Sequence, residues 1–184
     1  MKNYLDKELH IIFYTAQMRK HIYLYLILLI LAMGGCTYSV FLNAYPHLKT
    51  VQVSSFENAT SEYALAQDLQ NQLVERFQNS GRLKISTLNP DSQIEGGVLD
   101  YKNEILSYDI NGNISEYRVS ILLSIQMTDL KLQQVMYENK SLLVTENYSP
   151  NTENQELSRT EAQAQAKIYE KVFDTIIRNT LEAW

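Results

Sequence analysis

Cysteine is nearly absent from the chain: Cys36 is alone among 184 residues, which excludes an internal disulfide and any multi-cysteine metal site. Histidine is scarce as well. After Cys36 only His47 remains, beside Pro46, so transition-metal sites and Cys–His catalysis lack a constellation. Glycine and proline are few, at six and three. Glu95-Gly96-Gly97 lies in an extended stretch and opens no helix, so no phosphate-cradling loop is present. Basic runs are missing too. From Cys36 onward, 12 Lys plus Arg stand against 19 Asp plus Glu, a net charge of −7. That balance excludes a typical nucleic-acid binder and a polybasic membrane binder. Acidic residues are spread singly, without an acid–base pair. We expect no enzyme and no cofactor.

What is present begins with a basic stretch, Arg19-Lys20-His21, followed by the uncharged Ile22–Leu31 run IYLYLILLIL. The apolar segment covers about 14 residues, short of the ~20 that a spanning helix needs. A positive start, a short apolar core and small residues at its end describe a secretory signal. Met33-Gly34-Gly35-Cys36 resembles the lipobox of bacterial lipoproteins, which implies cleavage before Cys36 and acylation (diacylglyceryl and palmitate-type chains) of that residue. Three acyl chains exceed the two signals that stable anchoring needs. Thr37, Tyr38 and Ser39 carry no acidic residue after the lipid, which favours the outer membrane, with the protein facing the periplasm. Residues 1–17 place Asp6 and Glu8 ahead of the apolar run, whereas Met18-Arg19-Lys20 opens a normal signal directly. We read 1–17 as a doubtful extension from a mis-assigned start, the alternative being a long n-region. Residues 18–35 read as the signal peptide and 36–184 as one mature domain.

Periodicity orders the mature chain. Lys49–Ser55 alternates as a short strand through Val51 and Val53, and 56–61 reads as a turn. Leu65, Leu69, Leu73 and Phe77 recur at helical spacing from Ser61 to Asn79, with Gly81 as the stop. A second short strand spans Leu83–Leu88. A long one spans Gln93–Tyr108, with a bulge expected where apolar parity changes across Gly96-Gly97. Asn111-Gly112 is a hairpin signal. Tyr117, Val119, Ile121, Leu123, Ile125 and Met127 then alternate with polar residues, which predicts a strand buried on one face. A loop over Asp129–Gln133 leads to a strand over Gln134–Thr145, and Asn147–Gln155 reads as irregular. Ser158–Ala183 carries Ala162, Ala166, Tyr169, Val172, Phe173, Ile176, Ile177 and Leu181 at helical spacing. The order β-α-β-β-β-β-α predicts an α+β two-layer sandwich, two helices on one face of a mostly antiparallel or mixed sheet. Four Asn-x-Ser/Thr triplets, at Asn58, Asn113, Asn139 and Asn147, read as polar loop and strand residues beside a bacterial lipobox.

The combination of Cys36-x-Tyr38, Pro46-His47-Leu48-Lys49-Thr50-Val51 and Phe56-Glu57-Asn58-x-Thr60-Ser61-Glu62-Tyr63 resembles the LPS-assembly lipoprotein (LptE) family. So do Arg82-Leu83-Lys84-Ile85, Tyr108-Asp109-x-Asn111-Gly112, Glu116-Tyr117-Arg118-Val119 and Thr128-Asp129-Leu130-Lys131. The resemblance implies two helices on a mixed sheet of four strands or slightly more. It also implies a non-catalytic plug inside a large outer-membrane β-barrel protein (LptD-like) that delivers lipopolysaccharide to the cell surface. Family members are proposed to touch lipopolysaccharide through basic residues. Here Ile110, not a base, precedes the turn, so the candidate contacts are Ile110, Asn111, Gly112, Arg118 and Lys131. Ordinary solvated surface is the alternative for the last two. The N-terminal half also looks like regulators of peptidoglycan synthases and curli-secretion lipoproteins, a competing reading.

Overall fold

A computed structural model describes residues 45–150 and 160–182. Cys36, the signal segment, the 1–17 extension and positions 151–155 of the irregular stretch lie outside the described residues.

Among the described residues, six strands and two helices follow in the order β1 (Thr50–Val53), β2 (Glu57–Asn58), α1 (Leu65–Ser80), β3 (Lys84–Ile85), β4 (Ser92–Tyr108), β5 (Ile114–Asp129), β6 (Gln134–Tyr148) and α2 (Glu161–Asn179). One mixed sheet has the order β3-β1-β4-β5-β6, and β2 pairs with β4 off this path. β1 runs parallel to β3 and β4, and β2 runs parallel to β4. β4, β5 and β6 form a long antiparallel meander. The α+β sandwich predicted from the periodicities is the fold observed.

The sequence pattern explains why this sheet buries one face. Val119, Ile121, Leu123, Ile125 and Met127 of β5 are all buried, and the residues between them are half-buried. Onto that face α1 packs Leu69, Leu73 and Phe77, and α2 packs Ile168, Val172 and Ile176. Each such side chain contributes roughly 1.5–3 kcal/mol by leaving water. Phe77 and Phe173 meet edge to face at 5.0 Å and join the helices to each other. Gly81 at φ +66° ends α1, a conformation that glycine adopts without strain. Thr160 caps α2 by accepting the Gln163 amide.

Four elements differ from expectation. Residues 56–61 are not only a turn: Glu57 and Asn58 pair with Gly97 and Val98 as β2. β3 is two residues long, because only Lys84 and Ile85 find a partner in β1. β6 runs three residues beyond Thr145, since Asn147 and Tyr148 pair with Arg118 and Tyr117. The bulge falls between Val98 and Asp100, not at Gly96-Gly97, where pairing with β5 is regular. The glycines serve close approach instead. A Cβ on Gly96 would lie 2.1 Å from the Ser124 carbonyl oxygen, and one on Gly97 would lie 3.3 Å from Glu57.

Candidate partner-binding surfaces

The long meander gives the domain two distinct ends. β4 and β5 turn at one of them, and the chain enters at the other.

At the turn, Asp109 holds the backbone in place. Its Oδ1 accepts the amides of Asn111 and Asn113 at 2.8 Å each, and its Oδ2 accepts Asn113 Nδ2 at 3.0 Å. The Asn113 bonds, side chain first, lower the Asp109 carboxyl below its ordinary value. Gly112 sits at φ +83° and donates to the Asp109 carbonyl oxygen. This fixed turn presents Ile110, which is fully exposed. Ile105, Leu106 and Tyr108 on β4 are exposed behind it, so the hairpin carries an apolar flank to its tip.

The base of this projection is braced from three elements. Tyr117 of β5 and Tyr148 of β6 stack at 4.9 Å with their rings 9° apart. Ser149 Oγ donates to the Ser115 carbonyl at 2.6 Å. Glu161, in the first turn of α2, accepts from the Tyr101 hydroxyl and from Asn103 Nδ2. Burial, and then the Glu161 carboxylate, push the Tyr101 hydroxyl pKa up, so it stays a donor at any physiological pH. Past these contacts β4 and β5 continue without a helix partner. Arg118 lies on the polar face of the sheet opposite Glu104 and Asn147, and its Nε donates to Asn147 Oδ1 at 3.0 Å.

The chain-entry end is built around two carboxylates. Asp129 is the last residue of β5 and keeps the inward parity of the five apolar residues before it, so it is buried, not looped. His47 Nε2 donates to its Oδ2 at 2.5 Å, and the amides of Lys131 and Leu132 donate to its Oδ1 at 2.8 and 2.9 Å. Burial alone would raise this carboxyl; the His47 and amide bonds outweigh it, and the pKa is lowered. Asp91 accepts the amides of Lys49 and Thr50 at 2.7 and 3.0 Å and pairs with Lys131 Nζ at 2.8 Å. Its carboxyl is held down at about 2, first by Lys131 and then by the backbone donors, against desolvation. Lys131 Nζ also donates to the His47 carbonyl at 2.9 Å.

The five residues singled out in the sequence therefore divide. Ile110, Asn111 and Gly112 form the tip, and Arg118 lies six residues down the same hairpin. Lys131 is at the opposite end, more than ten strand residues away, or roughly 35–40 Å, and it is engaged in holding the entry segment. Sequence reasoning missed Asp109, His47, Asp91 and Asp129. The signal for Asp129 was available, since the alternation continues one step past Met127 onto a carboxylate. Among the described residues, no group of three His, Cys, Asp or Glu could hold a metal ion, and no helix is long and apolar enough to cross a membrane.

A family model for LptE, described as lipopolysaccharide-assembly, matches residues 48–180. No curated protein matches the chain. Among solved structures it is similar to the PelC dodecamer from Paraburkholderia phytofirmans, at 13% identity and TM-score 0.47, covering 73% of this chain and 89% of that one. It is similar to a minor lipoprotein from Acinetobacter baumannii, at 18% identity and TM-score 0.42, covering 73% and 91%. Rare lipoprotein B from Shewanella oneidensis is similar at 13% identity and TM-score 0.38, covering 71% and 86%.

Proposed function

The chain belongs to the LptE lipopolysaccharide-assembly family, and from that premise we propose that it is an outer-membrane lipoprotein that plugs and assists a large β-barrel of the LptD type. Cys36 carries the lipid anchor, the domain faces the periplasm, and the protein performs no catalysis. The observation that carries this reading is the family match over residues 48–180, which includes every strand and helix of the fold.

The β4–β5 hairpin suits such a role. Its exposed Ile105, Leu106, Tyr108 and Ile110 give an apolar flank, while the open sheet face behind it carries Arg118, Ser120, Ser124, Gln126 and Thr128 around the Leu122–Leu143 pair. A barrel lumen is wet and polar at its wall, so a plug needs a polar face together with a few apolar anchors. Ile110, Asn111, Gly112 and Arg118 are the contacts assigned to the barrel or to lipopolysaccharide. Lys131 acts at the entry end and would affect partner binding only through the way the domain is held.

A photo-crosslinker at Ile110, Asn113 or Arg118 tests this. One dominant high-mass β-barrel should be trapped, and depletion of the chain should leave that barrel misassembled and lipopolysaccharide missing from the cell surface. Crosslinking to a periplasmic cell-wall enzyme, with lipopolysaccharide display intact, would instead support the peptidoglycan-synthase-activator class of lipoprotein.

A further inference from the structure

Beyond Val98 the sheet loses a strand. β2 pairs with β4 at Gly97 and Val98, and the Ala59 amide makes a last bond to the Val98 carbonyl at 2.9 Å. Among the described residues no strand pairs with that side of β4 from Leu99 to Tyr108, while β5 pairs with the other side as far as Tyr108. A free edge about 30 Å long therefore runs from the middle of the sheet toward the Asn111-Gly112 tip. The direction of its backbone groups follows from one bond. The Tyr101 amide donates to the Asp100 carboxylate at 2.9 Å, so it is turned out of the ladder with β5. Pairing is regular from Asp100 to Ile105. Because an antiparallel ladder alternates, the amides and carbonyls of Asn103 and Ile105 face outward as well.

Proteins blunt or cover an edge of this kind. Here Asp100 satisfies one of the three outward amides, and the bulges at Leu99 and Leu106 interrupt pairing only at the ends of the regular run. Asp100, Lys102 and Glu104 are exposed on the open face of the sheet, opposite Leu122, Ser120 and Arg118. Leu99, Ile105, Leu106 and Tyr108 are exposed along the same edge. A second copy of this chain does not fit it. Antiparallel pairing centred on Asn103 would match Lys102 with Glu104 twice, but it would bring the second copy's Tyr108 against Val98, where Asn58 already pairs. A wall strand of a closed barrel does not fit either, because both of its edges are in use. For a hairpin that enters a barrel, the occupant left is a loop or terminal segment of the barrel protein, extended alongside β4.

We propose that the β4 edge from Asp100 to Tyr108 takes such a segment of the barrel protein as an added strand. Main-chain bonds to Asn103 and Ile105 give the attachment, and alternate side chains give the choice of segment. On the open face the segment carries basic, acidic and basic residues against Asp100, Lys102 and Glu104, since like charges directly opposite destabilise. An apolar residue faces Ile105. The proposal rests on the barrel-plug reading and specifies how the hairpin is held.

Hydrogen exchange on the full chain, free and in its barrel complex solubilised from the outer membrane, tests it. In the complex the amides of Asn103 and Ile105 should exchange at least tenfold more slowly than in the free chain. Those of Lys102 and Glu104, already bonded to β5, should change little. Ile105→Pro removes one outward amide at an edge that tolerates proline; it should cut the barrel recovered with the tagged chain several-fold, with circular dichroism unchanged, whereas Ile105→Val should not. A recovered barrel with Asn103 and Ile105 exchanging as fast as in the free chain overturns the added strand and leaves the plug reading intact. Protection of the two amides in the purified chain alone, rising with its concentration, overturns it in favour of a second copy. Recovery of no barrel overturns the plug reading itself, and the added strand with it.

Discussion

A methyl group at position 96 has nowhere to go, because the Ser124 carbonyl is part of the neighbouring strand and cannot rotate away. Gly96→Ala should therefore cost about 1–3 kcal/mol, seen as a lower denaturation midpoint. Gly97→Ala meets Glu57 of the two-residue β2 at 3.3 Å and should loosen that strand for a smaller loss. The carboxylates of the entry end make a different prediction, about acid. Asp91 falls from its ordinary value of 3.8 to about 2 on folding. Between those values the unfolded chain binds more protons than the folded one, so stability rises with pH there. The contribution is complete above pH 3.8 and is lost as pH falls through about 2. Asp91→Asn should flatten the acid limb of a urea-midpoint profile over that window. It should also free Lys131 and loosen the amides of Lys49 and Thr50, measurable as faster hydrogen exchange.

At the scale of elements, the sequence was legible wherever one periodicity ran long enough to dominate. β4, β5 and both helices stand close to where the spacing of Leu65 to Phe77, Val119 to Met127 and Tyr169 to Ile177 predicts them, although Ala162 and Ala166 of the last stripe are exposed and Ala164 is buried in their place. What was illegible was made by pairing across the chain. β2 exists because Glu57 and Asn58 meet Gly97 and Val98, and the end of β6 exists because Tyr148 meets Tyr117. No local spacing announces either. The Asn111-Gly112 tip was readable as a turn, but the residue that organises it, Asp109, was hidden because its task is to accept three donors beyond its own position. Asp109→Ala should release the tip without unfolding the domain, since that hairpin end lies outside the core. The melting temperature should hold, amide exchange at 111–113 should rise by an order of magnitude or more, and crosslinking from position 110 should weaken.

For the whole molecule the question is what holds it at a membrane. The chain from Cys36 onward is acidic, so its charge does not hold it on an anionic membrane. On the lipoprotein reading proposed above, acyl chains at Cys36 supply nearly all of the attachment. Cys36→Ser should place the chain in the soluble or unprocessed fraction, with crosslinking to any membrane partner lost. The domain's far-ultraviolet circular dichroism should be unchanged, since the core begins at Leu48, well past the tether. Deleting residues 2–17 makes the opposite expectation. Met18-Arg19-Lys20 and the apolar run after it form a complete signal, so processed protein should reach the membrane in the same amount. Mass spectrometry of the mature N-terminus separates the outcomes. A triacylated Cys36 in both the parent and the shortened chain supports the reading, whereas an unmodified Cys36 in the parent, or a sharp drop in processed chain after the deletion, contradicts it.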